Sequence, residues 1–498
     1  MAYIKPAFMK ENPSSDSISP SPRHPTTPSR FSSPALGWRI SSSKDSADAH
    51  LPSLSDEEQS FLLDLAARFR EWTKRHDLAS PSATSAEVER LLDEQAAEQE
   101  LDLDSDQRAY LLRAALSHLA GFAPLDHFLS DPTLEEIAVI GLGLPIYIYH
   151  RKGGWQATNA SITSFEHLTH LINKMARSLG RRVSSESPRL NALLPDGSRL
   201  HASIPPLSDG ELTIRKHAVR PWSAIDLLSS GSIHSDALAF LWLAFQSDSS
   251  VLVAGNTASG KTTLLDALLG FVPLSERMVV IEETPELRPP HPHQVHLVCN
   301  EDLHIPMAEL VRDSLRMRPD RVVVGEVRTP PETQAYMETL LSGQARGSYA
   351  TFHAQSAPEA LRRLVNLGAS ADDLVSLDFI VIQRRIAHYD PKMKKQQELR
   401  RCLGIYMLTN GTAPTPASGA ALPFKLEAQP VMVYDNKSDR LKAGPSMAAA
   451  LERLANRLGL TSTQARTLLN ERARFLDLLP AKADSSAVVA KIQQFAYR

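Results

Sequence analysis

The sequence feature that most limits the possible folds is a glycine-rich segment between an apolar run and a helical pattern. Residues Val251–Ala254 are apolar, and Gly255-Asn-Thr-Ala-Ser-Gly-Lys-Thr-Thr263 follows them directly. Gly-x-x-x-x-Gly-Lys-Thr after a strand and before a helix is typical of loops whose backbone N–H groups bind phosphates. Glycines allow the tight curl, and the positive end of the helix predicted over Thr263–Leu269 lies beneath the anion. The segment therefore predicts an α/β domain with a phosphate-binding loop.

The residue types in this loop predict ATP and Mg²⁺ as its ligands. Lys261 is expected to reach the β- and γ-phosphates, and the hydroxyl of Thr262 is expected to bind Mg²⁺. The alternative is a glycine-rich turn that carries an exposed lysine. The predicted nucleotide-binding residues are Gly255, Asn256, Thr257, Ala258, Ser259, Gly260, Lys261, Thr262 and Thr263.

Further short apolar runs alternate with helical patterns around the loop. They are Met278–Ile281, Val322–Val324, Tyr349–Phe352 and Phe379–Ile382. Strands that are apolar on both faces and separated by helix-length segments indicate a parallel sheet covered by helices. Ligands of such sheets gather at the carboxyl ends of the strands.

Polar residues follow three of these runs. Glu326 ends one strand and is expected to bind Mg²⁺ directly or through water; the alternative is an acid that caps the next turn. Glu282, Glu283 and Glu286 follow another strand, and one of them could activate or orient water, although a solvated acidic loop is also possible. His353 ends a third strand, where it either senses the γ-phosphate or serves as a structural residue.

Composition shifts divide the chain into seven segments. Of the first 55 residues, 22 are Ser or Pro, which predicts a disordered tail. Turn signals and short β-rich runs then predict an α+β unit ahead of the glycine-rich loop. The expected segments are a tail over 1–55, helices over 56–123, the α+β domain over 124–216, a hinge over 217–223, the ATPase domain over 224–410, a loop or insertion over 411–445 and C-terminal helices over 446–498.

Bulk properties argue against several classes of protein. The net charge of −3 gives no general attraction to nucleic acid or anionic lipid. The apolar run Ala237–Phe245 is too short to cross a bilayer as a helix, and the first residues lack the apolar core of a secretory signal. Cys299 and Cys402 have no metal-ligand spacing and are expected to be reduced thiols. We therefore expect a cytoplasmic protein that contacts a membrane through a partner.

The order of these motifs resembles that of the type II/type IV secretion ATPase family, which includes motors of pili, conjugative secretion and the archaellum. Gly255–Thr263 resembles the Walker A box and Ile281–Leu287 the Asp box. Arg316–Arg328 resembles the Walker B region, and Gly347–His353 the His box.

The resemblance extends upstream and covers about 124–408. Leu194–His201 and Leu212–Lys216 are similar to N-terminal-domain signatures of the secretion branch, and Leu144–Trp155 resembles archaeal members. By motif position, Arg199 and Arg215 are similar to family arginines that approach the phosphates; ordinary surface salt bridges are the alternative. Glu283 stands where the family commonly has Asp, so Glu286 is preferred as the base, with the choice among the three glutamates left open.

The resemblance implies a fold and a set of partners. The expected subunit has a RecA-like P-loop domain with a parallel sheet, preceded by a smaller α+β N-terminal domain, and six such two-lobed subunits form a ring. The expected partner is an integral-membrane platform protein of a pilus, archaellum or secretion machine, with no stable nucleic acid. Two alternatives stay open: a nucleic-acid-translocating motor and a regulatory subunit that binds ATP without hydrolysis.

Overall fold

The computed structural model describes the chain in two compact units. The described residues are 36–40, 47–48, 53–76, 81–151, 153–217, 220–300, 303–390, 394–411, 425–481 and 483–497. The first unit contains the described residues within Met1–Ser42 and His50–Pro124, and the second contains those within Ser43–Ala49 and Leu125–Arg498.

The first unit contains three helices that contact one another. They are α1 (Asp56–Thr73), α2 (Pro81–Glu98) and α3 (Ser105–Leu119). Ser55 begins α1 with a capping box, because its hydroxyl accepts from the N–H of Glu58 at 3.2 Å while the Glu58 carboxylate accepts from the N–H of Ser55 at 2.7 Å. The apolar face predicted for α1 is buried.

The expected tail over 1–55 is corrected in one place and lies mostly outside the described residues. Its first 35 residues are not described, and the unit's short strand β1 (Trp38–Ile40) falls within it. Trp38 and Ile40 are buried, so this short stretch is ordered.

The second unit begins with an antiparallel sheet in the order β4-β3-β2-β7-β6-β5. The helix α5 (Phe165–Ala176) packs against it with five buried apolar or small residues, and α4 (Asp126–Ser130) contacts β2. The strands are β2 (Leu134–Val139), β3 (Pro145–His150), β4 (Gly154–Ile162), β5 (Arg189–Leu193), β6 (Arg199–Ser203) and β7 (Glu211–Arg215). The register sets Arg199 directly opposite Arg215.

A larger sheet of nine strands follows, in the order β10-β9-β11-β12-β8-β13-β14-β15-β16. The strands are β8 (Val251–Gly255), β9 (Met278–Glu282), β10 (Gln294–Val298), β11 (Arg321–Val327), β12 (Gly347–His353), β13 (Phe379–Asp390), β14 (Lys395–Gly411), β15 (Lys425–Asp435) and β16 (Arg440–Ala443). The five predicted strands, β8, β9, β11, β12 and β13, pair in parallel as expected, and β10, which was not predicted, joins them. Strands β14 to β16 add antiparallel pairs. The sheet is therefore mixed, and the expectation of a purely parallel sheet is corrected.

The antiparallel strands β15 and β16 lie in the stretch 411–445, where we expected a loop or insertion. The residues rich in Gly, Ala, Pro and Thr that suggested a loop are Gly411–Pro423; Gly411 ends β14, and 412–423 lie outside the described part of the chain. Pro430 of β15 lies opposite Tyr406 of β14, where the register of the two strands shifts. A bulge accommodates proline because no ladder N–H is required there.

Helices cover both faces of the nine-stranded sheet. They are α6 (Ala224–Ser229), α7 (Ser235–Gln246), α8 (Lys261–Leu269), α9 (Met307–Ser314), α10 (Pro330–Leu341), α11 (Ala357–Asn366), α12 (Met447–Leu458), α13 (Ser462–Leu478) and α14 (Ser485–Ala496). One core contains α7 together with buried residues of the three C-terminal helices, and the other lies beneath α9, α10 and α11. The C-terminal helices are thus part of the main core.

The run Ala237–Phe245 is buried throughout because α7 lies inside that first core. None of the helices that the structure describes is both long enough and apolar enough to cross a membrane. The predicted hinge over 217–223 includes 218–219, which lie outside the described residues.

We predict that Trp242→Ala lowers the free energy of unfolding by about 3–5 kcal/mol. Trp242 is fully buried, stacks on Phe271 at 5.0 Å and lies beneath the guanidinium of Arg472 at 4.6 Å. The measurement is chemical unfolding followed by circular dichroism. The control is Trp155→Ala, because Trp155 is 50% exposed; it should cost about 1 kcal/mol or less. Equal effects of the two substitutions would contradict this account of the core.

Candidate active site

The glycine-rich loop joins β8 to α8, as predicted. Gly260 precedes the helix with φ 88°, and Ala258 also has a left-handed backbone with φ 58°. A Cβ atom at Gly255 would lie 1.9 Å from the carbonyl oxygen of Gln383, so the close approach of β13 requires glycine there. The first N–H groups of α8 have no partner within the helix and are suited to an anion.

A cavity of about 260 Å³ opens in front of this loop. Of the fifteen predicted site residues, thirteen line it: Arg199, Arg215, Thr257, Ala258, Ser259, Gly260, Lys261, Thr262, Thr263, Glu283, Glu286, Glu326 and His353. The remaining two lie behind the loop. Gly255 packs against Gln383, and the side chain of Asn256 exchanges hydrogen bonds of 2.9 and 3.2 Å with the backbone of Arg385.

The start of α8 and the ends of β11 and β12 bring Lys261, Glu326 and His353 together. Nε2 of His353 lies 2.7 Å from Oε1 of Glu326, and Nζ of Lys261 lies 3.4 Å from Nδ1 of His353 and 3.9 Å from Oε1 of Glu326. Burial and then the charge of Lys261 lower the pKa of His353. A neutral imidazole fits these contacts, since Nδ1 can accept from Lys261 while Nε2–H donates to Glu326.

The position of Glu326 depends on an irregular strand end. The register of β11 with β12 shifts between Val324 and Val327, and the hydroxyl of Thr351 donates to the carbonyl of Gly325 at 2.6 Å. This bulge turns the end of β11 away from regular pairing. Bulges of this kind commonly re-aim side chains beside functional sites.

The three glutamates of the acidic turn have different partners. Oε1 of Glu282 accepts from the N–H groups of Glu286 and Leu287 at 2.9 and 3.0 Å, and burial raises the pKa of Glu282 to about 7. Glu283 forms an ion pair with Arg328. Oε1 of Glu286 lies 2.9 Å from Nη2 of Arg199. Glu282 therefore shapes the turn, while Glu286 faces the arginines of the N-terminal sheet.

Both arginines predicted from the N-terminal sheet reach the cavity. Arg199 and Arg215 are opposite each other on β6 and β7, and like charges in that arrangement repel unless an anion lies between or beside them. Glu286 supplies one such anion to Arg199. The carboxylate of Glu286 is thus linked to a strand of the other sheet.

Arg328 is a site residue for which the sequence predicted no role of its own. It lines the cavity, and its guanidinium contacts Glu326 at 2.8 Å as well as Glu283. The same reasoning did not find the clamp formed by Glu282. Both residues lie within motifs, but only the fold shows that Arg328 reaches Glu283 after the neighbouring strand β9, and the bonds to Glu282 depend on how the turn is folded.

The cavity fits a polyphosphate with a divalent cation. Burial lowers the pKa of Lys261. The positive charges of Arg215 and Arg328 lower it further, and the carboxylates of Glu326 and Glu286 raise it. A polyanion would relieve the repulsion among these cations. Among the residues described, no group of three or more His, Cys, Asp or Glu side chains is arranged to hold a metal by itself. A bound Mg²⁺ commonly uses one or two protein oxygens plus phosphates, and Thr262 and Glu326 are the residues that could supply them.

Comparison with known proteins places most of this chain in one family. Residues 125–457 match the type II/IV secretion system protein family. The chain is 35% identical over 260 residues to the type IV secretion system protein PtlH of Bordetella pertussis, covering 46% of this chain and 76% of that protein. It is 31% identical over 291 residues to the type IV secretion system protein VirB11 of Bartonella quintana, covering 50% and 80%.

Other relatives match over smaller shares of their own length. An uncharacterized protein of Methanocaldococcus jannaschii is 39% identical over 213 residues, which are 40% of this chain and 29% of that protein. A second uncharacterized protein of the same organism is 32% identical, and the chain spans 47% of its length.

Solved structures of similar proteins include two ATPases. The VirB11 ATPase of the Brucella suis type IV secretion system is 26% identical, covers 57% of this chain and 92% of that chain, and gives a TM-score of 0.31. The Legionella pneumophila ATPase DotB is 18% identical, covers 74% and 90%, and gives 0.43. Since the family match spans more than half of the sequence and includes the whole cavity, the chain belongs to the type II/IV secretion system protein family.

Proposed function

We propose that this protein hydrolyses ATP in the presence of Mg²⁺ and uses the reaction to drive a macromolecular machine. The observation that best supports this function is the convergence of four elements on one cavity. They are the glycine-rich loop, the acidic turn, the ends of β11 and β12, and the two arginines of the N-terminal sheet. Family membership supports the same conclusion.

Two groups of residues would hold the nucleotide. The N–H groups at the start of α8 and the ammonium of Lys261 bind the phosphates, because both present positive charge to the cavity. Thr262 and Glu326 would hold Mg²⁺, and the ion would neutralise charge on the phosphate oxygens. His353 keeps Glu326 oriented through their 2.7 Å contact and senses the terminal phosphate.

Glu286 is the residue that we assign as the general base or water-orienting carboxylate. It lines the cavity and contacts Arg199, whereas Glu282 accepts two backbone N–H bonds and Glu283 pairs with Arg328. Arg199 and Arg215 bind charge that develops on the terminal phosphate. Loss of that phosphate removes an anion shared by the two sheets, so the N-terminal sheet becomes free to move.

At the level of the whole machine, we infer a RecA-like motor domain and a hexameric ring of two-lobed subunits. Movement about 217–223 would pass from the ring to an integral-membrane platform protein at the cytoplasmic face of the membrane. The machine is a type IV pilus-like filament, an archaellum or a secretion system. The names of PtlH and VirB11, both type IV secretion system proteins, support a secretion system.

We predict that Lys261→Ala abolishes Mg²⁺-dependent phosphate release from ATP, because the buried ammonium in the cavity is lost. The exposed lysine variant Lys437→Ala is the control and should keep normal turnover. EDTA should stop the wild-type reaction, and added Mg²⁺ should restore it. Near-normal turnover of Lys261→Ala would refute the site.

Phosphate release, measured together with binding of ATP and of single-stranded DNA, separates the alternative functions. Wild-type protein that binds Mg²⁺–ATP without releasing phosphate would indicate a regulatory subunit. Salt-dependent binding of single-stranded DNA that stimulates turnover would indicate a nucleic-acid motor.

We predict that Glu286→Gln lowers kcat about 10²–10⁴-fold, the usual contribution of a general base. Mg²⁺–ADP affinity, measured by calorimetry, should change little because the loop and Lys261 are intact. Glu283→Gln is the matched comparison within the same turn. It should lower kcat by about tenfold or less, the effect of one charged hydrogen bond. A larger loss of kcat in Glu283→Gln than in Glu286→Gln would reverse the assignment of the base.

A further inference from the structure

The outer side of the phosphate-binding loop is held by a hairpin of the nine-stranded sheet. When loop N–H groups face an anion, the carbonyl oxygens of the same peptides turn away and need other donors. Strands β13 and β14 supply them. Nε2 of Gln383 donates to the carbonyl of Ser259 at 3.2 Å, and Nε of Arg400 donates to the carbonyl of Ala258 at 3.0 Å.

The peptide that Arg400 holds is the strained part of the loop. Ala258 has φ 58°, a left-handed conformation that costs free energy for any residue except glycine. A hydrogen bond from a charged donor to its carbonyl offsets that cost, since such bonds are stronger than neutral ones. The side chain of Arg400 also passes Gly260, where a Cβ atom would lie 3.8 Å from Cδ of Arg400.

The other end of the same guanidinium belongs to the N-terminal sheet. Nη1 and Nη2 of Arg400 donate to Oε1 and Oε2 of Glu135 on β2 at 3.1 and 3.0 Å. Arg151, which follows β3 in the same sheet, also contacts this carboxylate, with its Nε 3.2 Å from Oε1 of Glu135. Burial alone would raise the pKa of Glu135, but Arg400 and Arg151 outweigh it and hold that pKa below its usual value. Glu135 is therefore ionised near neutral pH.

We propose that Arg400 is a positioning residue that couples the N-terminal sheet to the conformation of the phosphate-binding loop. One planar guanidinium joins the carboxylate of Glu135 to the carbonyl of Ala258. Because its N–H groups have fixed relative directions, a displacement of Glu135 changes the direction of Nε–H at the loop. The inference rests on the proposed nucleotide binding and specifies how the N-terminal sheet influences it.

A second contact between the two sheets, at Glu398 of β14, provides a control for Arg400. Glu398 also joins the two sheets, because the hydroxyl of Tyr149 on β3 donates to Oε2 of Glu398 at 2.7 Å. Glu398 also pairs with Arg385, whose Nη1 lies 3.4 Å from Oε2 of Glu398. Tyr149→Phe thus removes a contact between the sheets two residues from Arg400 and leaves the loop contact in place.

A lysine at position 400 provides a further test of geometry. Its ammonium can keep the charge opposite Glu135, but it lacks the planar fork that reaches the carboxylate and the carbonyl together. A role that depends on charge alone is rescued by lysine, whereas a role in positioning is not.

The experiment measures Mg²⁺–ADP affinity by calorimetry, and KM and kcat for ATP, in the full chain. We expect Arg400→Gln and Arg400→Lys to weaken ADP binding and raise KM about tenfold, the effect of losing one charge-assisted hydrogen bond. Glu135→Gln should produce a smaller change in the same direction. The double variant Glu135→Gln/Arg400→Gln should bind no more weakly than Arg400→Gln alone, because both residues act along one path. Tyr149→Phe should bind ADP like the wild type.

Three results would overturn the inference. They are wild-type affinity in Arg400→Lys, additive losses in the double variant, or an equal loss of affinity in Tyr149→Phe. If Arg400→Gln does not fold, Arg400→Lys and Glu135→Gln carry the test. A wild-type protein that binds no Mg²⁺–nucleotide would instead refute the proposed function, so the two failures are separate.

Discussion

The adjacency of parallel strand ends is the constraint on which the site depends. The order β9-β11-β12-β8 places the acidic turn, Glu326, His353 and the glycine-rich loop side by side at one edge of the sheet. In a parallel sheet, every strand delivers its last residue to that same edge. A pattern of short apolar strands is therefore enough to gather residues that are far apart in the sequence.

Charge balance then decides how these residues are oriented. Lys261 is buried beside Glu326, and Arg328 contacts both Glu326 and Glu283. Burial makes an unpaired charge costly, so each cation of the cavity has a carboxylate nearby or faces the space where a polyanion would lie. The same argument explains why the buried Glu282 accepts two backbone N–H bonds.

The hairpin of β13 and β14 in the large sheet connects the phosphate-binding loop to residues far from the cavity. The strands β13 and β14 contact the back of the loop through Gln383, Arg385 and Arg400, and Arg400 reaches the N-terminal sheet. The three C-terminal helices pack on the core that contains α7. Segments that carry no recognisable motif thus support the loop from behind.

The sequence alone determined the glycine-rich loop and the strands that precede the acidic residues, because the loop and every such strand are encoded by residues adjacent in the chain. Thirteen of the fifteen residues predicted from the sequence line the cavity of the structure. Only the tertiary structure decided that Glu286 contacts Arg199, that Glu283 contacts Arg328, and that antiparallel strands extend the large sheet. Arg400, for example, lies 142 residues from Ala258 and 265 from Glu135. Contacts of that separation depend on the strand order and register of two sheets, which no local pattern encodes.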